Sequence, residues 1–270
     1  MKLIIKTTLF WVLITSTAVF AELAKVKVNG FDIEYEMAGS GKHTILLEAG
    51  GSAGLSDWDP IYNSLTKYAK VIRYSRIGNG GSSQIKKNYS SEQYATEALL
   101  LLKALKIDEP VVYVAHSYGA SIARVFAASY PDKIKALMLI EPASEHDVDI
   151  MRKIDLPRAE KEIAAIKRDD MKNGMSNQYL DFWSKRPLPD YPQIADIPVT
   201  VIASVKKYEN PSVLFFTDKG REMWGELHTN WANAFPQGEI VLTTKSYHYP
   251  QNDEPEMVNA QIQKLLKRTH

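Results

Sequence analysis

The sequence predicts an α/β fold, with a mostly parallel sheet of eight strands covered by helices on both faces. Short apolar runs alternate along the chain with longer segments whose apolar residues recur at helical spacing. This alternation is typical of parallel strands joined by crossover helices. The pair Asn29-Gly30 separates the first two apolar runs and predicts a two-residue hairpin. The hairpin would add antiparallel strands at one edge of the sheet.

Each predicted element follows from its own local pattern. The third strand leads into Ala49-Gly50-Gly51, and the fourth leads into a loop with three glycines. The first helix is indicated by aromatic and aliphatic residues three and four apart, and the last helix is amphipathic. The predicted strands are 25–28, 31–37, 44–48, 71–75, 111–115, 135–141, 198–203 and 240–243, and the main helices are 58–68, 91–106, 120–129 and 257–266.

The composition excludes several classes of protein. The chain is 45% hydrophobic and 24% charged, which is typical of a globular protein and not of a disordered or multi-pass membrane protein. The 33 Lys and Arg nearly balance the 32 Asp and Glu, and no basic block stands out, so no nucleic-acid partner is expected. Cysteine is absent, which excludes disulfides, thiolate nucleophiles and cysteine-ligated metals. No histidine–acid metal spacing and no dinucleotide or P-loop pattern occurs, so neither a metal nor a cofactor is expected.

The amino terminus has the pattern of a secretory signal peptide. Lys2 and Lys6 precede a short apolar stretch, and small residues at Val19 and Ala21 suit cleavage after Ala21. The stretch is short and rich in Thr for a membrane span. We therefore expect 1–21 to be removed and the mature protein to be exported, periplasmic or secreted, without stable membrane insertion. The alternative is a retained membrane anchor.

The strongest chemical signal surrounds Ser117. A buried strand ends in Ala115-His116-Ser117-Tyr118-Gly119, and a helix of small residues follows. Small residues two before and two after a serine, between a strand and a helix, are the pattern of a nucleophile elbow. The sharp turn leaves no room for larger side chains, and it would hold the serine hydroxyl at a helix amino terminus. The alternative is a serine that merely caps the helix.

With this motif, the chain from Lys25 to Leu266 resembles the α/β-hydrolase superfamily, in its serine esterase and lipase-like branch. Three further segments carry the resemblance: Arg76 to Ser82, Leu139 to Ala143, and Tyr247 to Pro250 followed by Asp253 to Glu256. The resemblance implies an α/β-hydrolase fold with a small helical cap. The segment 146–192 itself breaks the alternation of strands and helices, being charged and mostly helical and then rich in proline and aromatic residues, which predicts a cap insertion between two parts of the core, 22–145 and 193–270.

The resemblance also implies a base and an acid for the serine. His248 lies in a loop after the last strand, where the family places its base. The usual aspartate after the seventh strand is missing. Glu141, at the tip of the sixth strand, is the better candidate for the acid, and Glu209 is the alternative. His116 is interpreted as structural, because neighbouring side chains on a tight turn diverge.

An oxyanion hole needs two backbone N–H donors. The resemblance implies Tyr118, the residue after the nucleophile, and either Gly50 or Gly51 in the loop after the third strand. Glu48 stands near the place where the family often has histidine, and we hypothesise that it pairs with Arg76 beneath the site.

The resulting expectation is a serine hydrolase that cleaves a carboxylic ester of a small molecule through an acyl-enzyme. Ser117 argues against the superfamily's dehalogenases and epoxide hydrolases, which use aspartate. Phe182, Trp183 and Tyr191 in the cap indicate an apolar or bulky substrate group, although these rings could simply pack the cap against the core. The alternatives are an amide- or peptide-cleaving member of the family and a non-catalytic small-ligand-binding protein on the same fold.

Overall fold

A computed structural model describes residues 23–85, 89–144, 146–172 and 194–269. The predicted signal peptide, 1–21, lies outside these residues, as do Phe182, Trp183 and Tyr191. Export, the limits of the cap and the roles of these three aromatic residues therefore stay predictions.

The predicted eight-stranded sheet is confirmed. The strand order is β1-β2-β4-β3-β5-β6-β7-β8. β1 and β2 form the predicted antiparallel hairpin, β2 is antiparallel to β4, and the remaining neighbours are parallel. The strands are β1 Ala24–Val28, β2 Phe31–Ala38, β3 Thr44–Glu48, β4 Lys70–Tyr74, β5 Val111–His116, β6 Ile134–Ile140, β7 Val199–Ser204 and β8 Gly238–Thr243.

The central strands are buried along their whole length and are mostly apolar, because both faces of the sheet are covered. Every residue of β3, β5 and β7 is buried. Successive side chains point to opposite faces, so Leu46 and Tyr113 belong to one core cluster while Leu47 and Val114 belong to the other. The continuous apolar runs in the sequence have this two-sided burial as their cause.

Helices cover the two faces. Ser90 and Gln93 form a reciprocal capping box at the start of α2, which fixes where that helix begins. No helix in the described ranges is both long enough and apolar enough to cross a membrane. The helices are α1 Asp59–Leu65, α2 Ser91–Ala104, α3 Gly119–Ser129, α4 Asp147–Ile154, α5 Leu156–Lys172, α6 Asp218–Asn233, α7 Pro250–Asp253 and α8 Pro255–Lys267, with 3₁₀ turns at Leu55–Trp58, Pro131–Lys133 and Leu214–Phe216.

The carboxyl ends of the parallel strands meet at one edge of the sheet. β5 lies in the centre, with β3 on one side and β6 on the other. Residues that follow these three strands are therefore brought together although they are far apart in the chain. Ligand sites of open α/β sheets form at this edge.

Candidate active site

The turn at Ser117 has the backbone geometry of a nucleophile elbow. Ser117 has a φ of +51°, in the left-handed region that L residues rarely adopt. Its amide donates to the Ile140 carbonyl at 3.1 Å, and its own carbonyl accepts from the Ala143 amide at 3.0 Å, so β6 supports the strained turn. A Cβ on Gly119 would lie 2.6 Å from the Ala49 carbonyl oxygen, which explains why a glycine stands there.

Ser117 and His248 meet as the sequence predicts. Nε2 of His248, in the loop between β8 and α7, lies 3.0 Å from Ser117 Oγ. The residue as a whole is exposed, but its ring is packed beside Ser117 and His116. Desolvation, assisted by His116, lowers the pKa of His248. A neutral imidazole at this distance can accept the serine proton.

Glu141 lines the same cavity as Ser117 and His248. Its φ of +40° makes it a second strained residue at this edge of the sheet. Its carboxylate accepts hydrogen bonds from Arg221 at 2.8 Å, Trp224 at 3.1 Å and the Ser204 amide at 2.6 Å. Burial raises the pKa of Glu141, and the charge of Arg221 opposes this effect.

No hydrogen bond joins Glu141 to His248. Within the described ranges, the His248 ring hydrogen-bonds only to Ser117. Glu209 is exposed and is not among the described residues that line the cavity. The structure thus brings Glu141, but not Glu209, into the site, and the assignment of the acid stays a prediction.

A buried ion pair shapes the loop that follows β3. Arg76 pairs with Glu48 at 2.5 Å, as hypothesised from the sequence, and both side chains are buried. The same guanidinium donates to the carbonyl oxygens of Ala49, Gly50 and Gly51. Three successive carbonyl groups therefore face the Arg76 guanidinium.

The amides of this loop differ in their partners. Gly50 donates its N–H to Asp57 at 2.9 Å and so is already committed. Among the described residues, none accepts a hydrogen bond from the Gly51 amide. Of the two alternatives for the second oxyanion donor, this geometry favours Gly51. Tyr118 stands immediately before α3, where the positive end of the helix dipole lies.

Asp57 is the residue of the site that the sequence analysis missed. It lies in the 3₁₀ turn before α1 and is buried beside His116, 2.9 Å from Nδ1. The other ring nitrogen of His116 lies 2.8 Å from the His248 carbonyl oxygen. A single acidic residue in a loop rich in Gly and Ser gave no periodic signal, so only the fold reveals this contact.

An apolar cavity of about 510 Å³ opens beside Ser117 and His248. Its walls come from the strand ends and from α4, α5, α6 and the 3₁₀ turn Leu214–Phe216. A second cavity, of about 550 Å³, lies between α4 and α6 and includes neither Ser117 nor His248. The apolar residues described in the walls of the first cavity are Pro142, Ala143, Val148, Met151, Ile166, Val213, Phe215, Phe216 and Trp224.

Comparison with known proteins identifies the class. Residues 43–190, more than half of the chain, match the family described as the alpha/beta hydrolase fold. The chain therefore belongs to the α/β-hydrolase family, and the resemblance inferred from its motifs is confirmed.

Individual relatives share about a quarter to a third of their residues with this chain over the aligned regions. The chain is 26% identical over 227 residues to the uncharacterized protein YqjL of Bacillus subtilis (strain 168), covering 83% of each chain. It is 32% identical over 121 residues to the human serine hydrolase BPHL, covering 43% of this chain and 41% of that one.

Solved structures share the fold. A putative lipase from Acinetobacter baumannii AYE superposes with a TM-score of 0.69 at 17% identity, covering 92% of this chain and 91% of the other. The enol-lactonase from Burkholderia xenovorans LB400 gives a TM-score of 0.63 at 22% identity, covering 90% and 100%.

Proposed function

We propose that the protein is an exported serine hydrolase that cleaves carboxylic esters of small molecules. The observation that carries the proposal is the 3.0 Å contact between Ser117 Oγ and His248 Nε2, on a strained elbow at the mouth of an apolar cavity. Membership of the α/β-hydrolase family and the likeness to lipase, lactonase and serine-hydrolase relatives support it. The signal-peptide pattern of 1–21 supports export.

The reaction follows from the placement of these groups. Ser117 Oγ attacks the ester carbonyl carbon while its proton passes to His248 Nε2. The carbonyl oxygen becomes an oxyanion, which the amides of Tyr118 and Gly51 stabilise. The bond from carbon to the alcohol oxygen then breaks, and His248 returns the proton to the departing alcohol. Water, deprotonated by His248, attacks the acyl-enzyme and releases the acid and Ser117.

Glu141 is the acid of this proposal. A carboxylate near the base keeps the imidazole in the right tautomer and stabilises the imidazolium that forms. Glu141 is supported by its place at the cavity and by its strained backbone. The cavity is mostly apolar, with Asp147, Asp170 and Ser212 as further polar lining residues, which suits a substrate with a hydrocarbon acyl or alcohol group.

The decisive variant is Ser117→Ala. We expect kcat for a short-chain aryl ester to fall on the order of 10⁶-fold, because removing the nucleophile of a serine triad has an effect of this size. A fluorophosphonate probe should label the wild-type chain at Ser117 and leave Ser117→Ala unlabelled. A folded wild-type protein that neither turns over esters nor takes the label would be a ligand-binding protein. Turnover of aryl amides at least as fast as esters would move the substrate class to amides.

A further inference from the structure

We propose that Asp57 and His116 act as a positioning pair that holds His248 in register with Ser117 and with the oxyanion loop. The proposal rests on the proposed function, because it concerns the same nucleophile and base. Neither residue touches the reacting atoms as the mechanism places them. Their effect passes through the backbone and the ring of His248.

The Asp57 carboxylate connects the segments that form the site. One oxygen accepts from the Gly50 amide at 2.9 Å, in the loop after β3, and lies 2.9 Å from His116 Nδ1, at the end of β5. The other oxygen accepts from Gln251 Nε2 at 3.2 Å, in α7 just beyond the histidine loop. One buried carboxylate therefore connects a loop, a strand end and a helix.

His116 extends this network to the base itself. Its Nε2 lies 2.8 Å from the backbone carbonyl of His248, and the two ring centroids are 4.9 Å apart. The Tyr249 ring lies 5.1 Å from the His116 ring. Because His116 directly precedes Ser117 in the chain and contacts the backbone of His248, this one residue connects the serine to its base.

The two hydrogen bonds of the His116 ring also indicate its charge. A carboxylate and a carbonyl oxygen are both acceptors, so both nitrogens of His116 must carry hydrogen when both bonds form. The ring is then an imidazolium paired with Asp57, and both side chains are buried. Burial alone would raise the pKa of Asp57, but the hydrogen bond and charge of His116 hold it below its usual range.

The two charges act on His248 in opposite directions. His116 lowers the pKa of His248, and Asp57 raises it. The other groups that face the base are Arg221 from α6, which lowers its pKa, Glu141 across the cavity and the adjacent Tyr249. Desolvation is the largest cause that lowers the pKa of His248, and the charge of His116 adds to it, so the ring is neutral and ready to accept a proton. Asp57 acts in the opposite direction and limits the net positive charge beside the imidazolium that forms.

Asp57→Asn tests the pair, and Asp59→Asn is the matched control. Asp59 lies two residues further along, its side chain is 62% exposed and its partner is Arg73, so the same chemical change is made away from the site. We expect Asp57→Asn to lower kcat on the order of 10²-fold with little change in KM, because small misplacement of a catalytic group has an effect of this size. Fluorophosphonate labelling of Ser117 should slow in parallel, while Asp59→Asn should match the wild type in both measurements.

His116→Gln gives a second, independent measurement. Removing the positive neighbour should move the acidic limb of the pH profile of kcat/KM to higher pH, because the charge of His116 lowers the pKa of His248. Thermal unfolding shows whether each variant is folded at the assay temperature. If Asp57→Asn does not fold, the pH profile of His116→Gln alone tests the positioning pair.

Two results would overturn the proposal. The first is labelling of Asp57→Asn at the wild-type rate with unchanged kcat, and the second is an acidic limb that does not move in His116→Gln. Either result leaves the proposed function intact, provided that the wild type is labelled at Ser117. A wild-type chain without label or turnover removes both proposals together.

Discussion

Two buried glutamates lie at the ends of the strands on either side of β5. Comparing them distinguishes a structural role from a proposed catalytic role. Glu48 ends β3 on one side of β5, and Glu141 follows β6 on the other. Each is paired with a buried arginine, Arg76 or Arg221. The two pairs have the same chemical composition and occupy nearly symmetric places, yet only Glu141 lines the cavity beside Ser117.

The backbone explains the difference. Glu48 lies within a regular strand, and its carboxylate accepts from Arg76, Tyr74 and Tyr113 beneath the oxyanion loop. Glu141 is in the left-handed region, which costs about 1–3 kcal/mol for a residue other than glycine. Such strain persists where the surrounding structure enforces it, and it is concentrated at functional sites. The first pair shapes the loop beside Ser117, and the strain at Glu141 supports our proposal that this carboxylate serves the base.

Among the changes that test this comparison, the largest effect is expected for Glu141→Gln. If Glu141 orients the base, kcat should fall on the order of 10⁴-fold with KM little changed, as when the acid of a serine triad becomes an amide. The side chain keeps its shape, but Arg221 stays buried without its counter-charge, so thermal unfolding must show that the variant is folded at the assay temperature. Steady-state kinetics on an aryl ester measure the effect, and Glu209→Gln, at an exposed site, is the control. A Glu141→Gln variant as active as the control would exclude Glu141 as the acid.

The next effect is a loss of stability when the pair of Glu48 and Arg76 is broken. Arg76→Met would leave Glu48 buried without its cation, and breaking a buried pair in this way costs about 3–5 kcal/mol. The variant should unfold at a lower urea concentration than the wild type. Arg152→Met is the matched control, because Arg152 pairs with Asp149 and Glu160, whose side chains are 47% and 55% exposed. An equal loss of unfolding free energy in the two variants would contradict a special role for the pair beneath the loop.

The third effect is a pH dependence of stability, which is small in acid and comes from a third carboxyl group of this region, Glu97. It is 4% exposed, and burial raises its pKa to about 8. Arg76 offsets only part of this rise, whereas Glu48 adds to it. The folded chain keeps the proton that the unfolded chain loses, so wild-type stability falls as pH rises from the usual glutamate pKa to about 8.

Glu97→Gln should remove this dependence. The amide stays neutral, so the variant should gain stability over the wild type by up to about 1.4 kcal/mol per pH unit across that range, and the two should coincide in acid. Melting temperatures measured between mildly acidic and mildly alkaline pH test this. A difference between variant and wild type that is the same at every pH would show that burial does not hold the proton on Glu97.

The sequence by itself determined the architecture and the place of the sharp turn at Ser117. Continuous apolar strands, an Asn-Gly hairpin and regular alternation with helices are local patterns, and they predicted all eight strands. The strand-turn-helix context of Ser117 is also local, because the steric demands of the elbow fall on residues within two positions of the serine.

Only the tertiary structure decided which partners these residues have. The contact of His248 with Ser117 spans 131 residues of chain, and the bond from Gln251 to Asp57 spans 194. The choice between Gly50 and Gly51 depends on the orientation of single amides, which no residue pattern encodes. The partners of the hydrogen-bonding and charged groups at the sheet edge depend on which parallel strands end next to one another. Their geometry is therefore a property of the assembled sheet.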